Sequence, residues 1–178
     1  MQKAKQRSEI AQQDKWRIED IYATDEAWEA DYNECIRRAK EKCAYQGRLA
    51  ESALILYQAL KESDEADLLV EHVYVYAFMK YYEDTANAVY QEMSGRAQAA
   101  VTKLSEKYAF LTPEILAIDQ KKMQEYLNSD TLALYRHALE DILEKKEHAL
   151  SETEERLLAM AGQVTASPNE IFSKFNNA

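Results

Sequence analysis

Apolar residues recur at intervals of three and four along most of this chain, the spacing that puts them on one face of an α-helix. Trp28, Tyr32, Cys35, Ala39 and Cys43 form the first such stripe and predict a helix over roughly 25 to 46, capped by Thr24 and ended by Gly47. Leu49, Ala53, Leu56, Tyr57 and Leu60 predict a second around 50 to 62, after which Ser63 and Asp64 supply the cap of a third reaching Tyr82. That third stripe, Leu69, Val73, Tyr76 and Lys80, is flanked by Leu68, His72, Val75 and Met79, a wide apolar face on a largely buried helix. Val89, Met93, Ala97, Ala100, Leu104 and Tyr108 carry a fourth from Thr85 to Leu111. Pro113-Glu114 then opens a short turn, and Gln120 to Leu127 forms a second short piece closed by Asn128-Ser129-Asp130. Leu132, Tyr135, Leu139, Ile142 and Lys146 share one face of the next element. Ser151 and Glu154 form a capping box, and Ser167-Pro168-Asn169-Glu170 begins a last helix.

These elements predict an all-α fold, a multi-helical array of antiparallel helical hairpins with roughly six to eight helices. Composition agrees: 3 Gly and 2 Pro in 178 residues leave few breakers, where average usage would put that pair near ~12%. The same scarcity excludes Gly-rich phosphate loops, because Gly47, Gly95 and Gly162 cannot build one. Residues 1–15 are polar and expected to be flexible, 16–166 form the helical domain, and 167–178 start a helix that has barely begun at Ala178. A capped helix stopped after about two turns is an expectation that the sequence belongs to something longer.

Charge removes two classes of partner. With 22 basic against 32 acidic residues the net charge is -10, and the densest basic clusters are the pairs Arg37-Arg38, Lys121-Lys122 and Lys145-Lys146. Nucleic acid and anionic membrane are therefore not expected as partners. No apolar run approaches the ~20 residues of a membrane span, and the polar start lacks a signal-peptide core, so the chain reads as cytoplasmic. Cys35 and Cys43 fall on an apolar stripe, about 12 Å apart at helical rise, and read as buried thiols rather than ligands or a nucleophile.

Catalytic chemistry finds no foothold in these residues. His72, His137 and His148 are the only histidines, and none stands in H-E-x-x-H or three residues after a Glu, so neither a zinc helix nor a di-iron bundle is specified. His148 reads as a helix C-terminal dipole partner. No nucleophile–base pair stands out, and no catalytic or metal-binding residue is assigned. The densest unusual feature is aromatic: Tyr74, Tyr76, Phe78, Tyr81, Tyr82 and Tyr90 suit either packing or a peptide-binding wall.

The order of the pieces resembles the N-terminal helical region of oligoendopeptidase F, in the thimet-type zinc endopeptidase superfamily. The resemblance is carried by Trp16-Arg17-Ile18-Glu19-Asp20-Ile21-Tyr22, Thr24 to Trp28, Tyr74-Val75-Tyr76-Ala77, Asp84-Thr85, Asn87, Tyr90-Gln91 and Phe110 to Ile115. Its most specific block is Lys146, His148, Leu150-Ser151, Glu154-Glu155 and Leu157-Leu158-Ala159. The resemblance implies a cytoplasmic parent protein that uses zinc to hydrolyse peptide bonds in short oligopeptides. Its zinc ligands and general base would lie in a C-terminal catalytic region missing from these 178 residues. This chain would then bind no zinc, be inactive alone, and help enclose the substrate cavity. The alternative is a self-contained helical scaffold that binds peptides or a partner helix without catalysis. A separated fragment also raises the expectation of non-physiological self-association through an exposed apolar patch.

Overall fold

The computed structural model describes residues 9–145, all helix, turn or irregular chain with no strand among them. The capping signals at Ser151 and Ser167, and the block from Lys146 to Ala159, lie outside those residues. The chain divides into two compact units, up to Arg136 and from His137 onward.

In the first unit, α1 spans Asp25–Lys40, α2 Ala53–Glu83, α3 Ala88–Tyr108, α4 Leu111–Ala117 and α5 Gln120–Leu127. Short 3₁₀ turns cover Gln12–Asp14 and Ile18–Asp20, and a longer 3₁₀ segment runs over Asp130–Tyr135. The caps follow sequence chemistry: Thr24 accepts from the Ala27 amide, Ser52 from Ile55, Asn87 from Val89 and Tyr90, and Asp119 from Lys121 and Lys122. The second unit enters with α6, Arg136–Lys145.

Helices α1, α2 and α3 make the main core, and their crosslinks give the directions. Trp28 and Asp25 of α1 meet Val73 and Tyr76 of α2, so α1 and α2 run antiparallel. Glu62 near the start of α2 meets Lys107 and Tyr108 at the end of α3, again antiparallel. Glu29 and Arg38 of α1 meet Arg96 and Lys107 of α3, which makes that pair parallel. Trp28 is wholly buried at the centre, and its indole N–H donates to the Val73 carbonyl at 2.8 Å. Around it lie Cys35, Ala66, Val70, Ala77, Met93, Ala97, Ala100 and Leu104. A second group packs on the first half of α2, where Tyr135 meets Tyr57 edge-on at 5.8 Å and donates to Asp64 at 2.6 Å. Tyr126 donates to the Ala50 carbonyl at 3.0 Å in the same group.

Several expected boundaries move: the helix expected over Thr85–Leu111 runs Ala88–Tyr108, with Leu111 already opening α4. The two helices split at Ser63–Asp64 are one 31-residue helix, because Ser63 is itself buried and continues the inward stripe Leu56, Ala59, Ser63, Ala66, Val70 and Val73. Continuous burial outweighs a local capping preference. The first helix ends at Lys40, and Glu41 turns to an extended conformation while its amide bonds the Arg38 carbonyl. Cys43 is therefore buried in the irregular link after the helix rather than on it, and among the described residues Gly47 supplies the one positive φ, +80°. The element expected from Leu132 begins as the 3₁₀ segment and becomes α-helical at Arg136. By contrast α5 has the expected bounds, and Pro113 sits in the first turn of α4, where its missing N–H costs nothing. Inside α2, Leu68 and His72 are exposed, so the third stripe is less buried than its width implied.

Candidate functional site

The last three turns of α2 sort their aromatic residues into two sets. Tyr76 points inward, meets the Tyr22 ring edge-on at 5.3 Å and donates to the Asp25 carboxylate at 2.8 Å. The Lys80 ammonium sits 5.4 Å from the Tyr76 and Tyr90 rings and 3.6 Å from Asp25, closing this inner set. Tyr74, Phe78, Tyr81 and Tyr82 stand at i, i+4, i+7 and i+8, which places them on another face. Tyr74 and Phe78 stack at 4.2 Å, Phe78 meets Tyr81 at 6.4 Å and Tyr82 at 6.1 Å, and Tyr81 and Tyr82 lie 5.3 Å apart. This outer ladder is not part of the buried core. Its end forms an open groove of about 390 Å³ lined by Trp16, Met79, Tyr82 and Glu83. Trp16 is 77% exposed and Tyr82 71%, unusual for rings that normally bury much of their area.

The inner tyrosines share one device. Tyr22 donates to Asp31 at 2.8 Å, Tyr108 to Glu62 at 2.9 Å and Tyr135 to Asp64, while Tyr76 uses Asp25. Burial first, then the bonded carboxylate, raises all four phenols above their ordinary range. They are therefore neutral hydrogen-bond donors that fix helix positions, not bases. Arg96 does similar work from α3, lying over the rings of Trp28 and Tyr32 at 5.3 and 4.1 Å while paired to Glu29.

A second opening, about 580 Å³, lies where α1 and α3 end and is lined by Lys40, Lys42, Cys43, Glu106, Lys107 and Phe110 among others. Both thiols are buried and free. Burial, then Asp31, pushes the Cys35 thiol up to about 11, so it stays protonated at neutral pH. His72 and His137 are exposed, and His148 lies outside the described residues. Among the described residues no three His, Cys, Asp or Glu side chains converge to hold a metal ion. No described helix is long and apolar enough to cross a membrane.

The aromatic run was legible as a feature, but its division into inner and outer sets was not. The partner that divides it, the Asp25 carboxylate bonded by Tyr76, lies 51 residues away. In the sequence Trp16 marks only the start of a motif, and the structure puts it at the groove.

Comparison with known proteins places this architecture. The sequence profile of the family described as Oligopeptidase F matches residues 114–178. Oligopeptidase PepF of Bacillus subtilis (strain 168) is 40% identical over 173 residues, covering 97% of this chain and 26% of its own length. An oligoendopeptidase F homolog of Lactococcus lactis subsp. lactis (strain IL1403) is 38% identical over 181 residues, covering 98% of this chain and 30% of its own. The crystal structure of oligoendopeptidase-F from Enterococcus faecium superposes with a TM-score of 0.68 at 30% identity, over 83% of this chain and 29% of that one. The chain thus spans between a quarter and a third of the length of the relatives it matches.

Proposed function

This chain belongs with the N-terminal helical region of the oligoendopeptidase F family, and from that premise we propose that it is the non-catalytic wall of a larger zinc metallopeptidase. In this reading the parent protein hydrolyses peptide bonds in short oligopeptides, in the cytoplasm. The helices help enclose the substrate cavity and exclude folded proteins by size. Zinc, its ligands and the general base belong to a C-terminal catalytic region, and these 178 residues alone are inactive and bind no zinc.

The observation that carries this reading is asymmetric coverage. Relatives match 97–98% of this chain with only 26–30% of their own length, while the described residues include stacked rings, carboxylate-bonded phenols and a protonated Cys35 thiol that serve packing. Any self-association of the separated chain would be weak and non-physiological. Reading the gene past codon 178 tests the proposal: a downstream H-E-x-x-H supports it, and a stop codon transfers the helices to the scaffold reading.

A further inference from the structure

We infer that the outer aromatic face of α2 is the surface on which the remainder of the parent polypeptide docks, an inference that rests on the functional reading above. The buried stripe of α2 over its second half is Ala66, Val70, Val73, Tyr76 and Ala77. On the opposite side, Leu68, Val75 and Tyr82 follow one another at seven-residue intervals, with Phe78 and Met79 beside them. Apolar residues therefore surround this stretch of helix, a pattern that belongs to helices covered on both sides. Leu68 is nonetheless 57% exposed, Tyr82 71%, and Val89, across the link from Tyr82, 62%. Trp16 at 77% completes the patch and leaves the groove of about 390 Å³ open for a large apolar side chain.

The size of the patch selects the occupant. Aromatic side chains carry ~150–250 Å² each, so the exposed parts of Trp16 and Tyr82 at the groove offer on the order of 300 Å². A stable complex between separate molecules buries about 800 Å² per partner, so a second copy of this chain is poorly served. A neighbour on the same polypeptide needs less contact, because the tether supplies a high effective concentration. Relatives that carry 70–74% of their length beyond the matched region provide such a neighbour.

The test is thiol labelling of Tyr82→Cys, with Val89→Cys as a second site, each made in the 178-residue chain and in the full-length parent. Both positions are exposed, so the variants should keep the helical circular dichroism of the parent sequence, and Cys35 and Cys43 are buried. Maleimide labelling located by peptide mass should be rapid in the short chain and at least tenfold slower in the parent without any peptide present. Equal rates overturn the inference. Protection that appears only on adding a blocked apolar hexapeptide also overturns it, because the face then lines the substrate cavity. Protection in the short chain, with a dimer mass in light scattering, overturns it in favour of a second copy. Hydrolysis of a quenched oligopeptide by the unmodified parent is measured in parallel, so failure of the functional reading shows as absent turnover, independently of labelling.

Discussion

Glu62→Ala should be the most informative single change in the three-helix core. Glu62 on α2 accepts from the Tyr108 hydroxyl at 2.9 Å and from the Lys107 ammonium at 3.2 Å. Lys107 also donates to the Arg38 carbonyl at 3.1 Å in the last turn of α1, so its ammonium ties the ends of α1 and α3 to the third turn of α2. The Lys107 side chain is 8% exposed and Glu62 35%. Removing Glu62 strands an ammonium that retains only the Arg38 carbonyl and the Tyr108 ring face, 5.0 Å away. Breaking a buried ion pair from one side costs about 3–5 kcal/mol when both partners are dry, and losing a charged hydrogen bond costs about 1.5–3. Water can reach the gap left by Glu62, which reduces the expected cost to about 2–3 kcal/mol. Lys107→Met keeps the apolar stem and leaves Glu62 bonded to Tyr108, so it should cost less than about 1 kcal/mol. Urea unfolding read through Trp28 emission in a Trp16→Phe background measures both, with a midpoint shift near 1 M for Glu62→Ala. A cost below about 0.5 kcal/mol for Glu62→Ala, or a Lys107→Met cost equal to it, would refute the reasoning.

The remaining expectations concern backbone and pH. Gly47→Ala should cost about 1 kcal/mol in thermal unfolding although nothing lies within 4 Å of the new Cβ, because φ is +80°; an unchanged midpoint contradicts this. Arg37 and then Arg38 hold Glu34 down to about 2 from an ordinary 4.5. A lowered folded-state value stabilises the fold above pH 4.5 and is lost as pH falls from there towards 2. The pair is largely surface, so the amount is about 0.5 kcal/mol, and Glu34→Gln should remove that part of the acid limb. Tyr22, Tyr76, Tyr108, Tyr126 and Tyr135, five of the twelve tyrosines, have raised values. An acid whose folded value is raised stabilises the fold below its ordinary 10 and loses that contribution as pH climbs past it. Phenolate absorbance should therefore show about five groups ionising only with unfolding, and complete reversible titration of the native chain near pH 10 would contradict it.

Much of this fold could be read from local chemistry. Thr24 bonds the Ala27 amide as its place ahead of Asp25 and Glu26 suggested, and α5 keeps its expected bounds, whereas the caps of α3 and α5 come from Asn87 and Asp119, which the apolar pattern did not single out. Ser63 shows where such signals fail, since the same residue type that caps a helix can sit buried inside one when the apolar stripe continues through it. That stripe was visible in the sequence and was the stronger signal. The candidate site was legible in part: the tyrosine run on α2 marked it. Which rings face Asp25 and which face outward depends on packing between α1 and α2, and no local pattern encodes a partner 51 residues away.

The central claim is a helical wall separated from its zinc site, and parallel turnover of one internally quenched oligopeptide tests it most directly. The full-length parent should cleave the peptide and lose that activity to a chelator, and the pure 178-residue chain with added zinc should show none. Chelator-sensitive cleavage by the short chain, or an inert parent replete with zinc, would contradict the account.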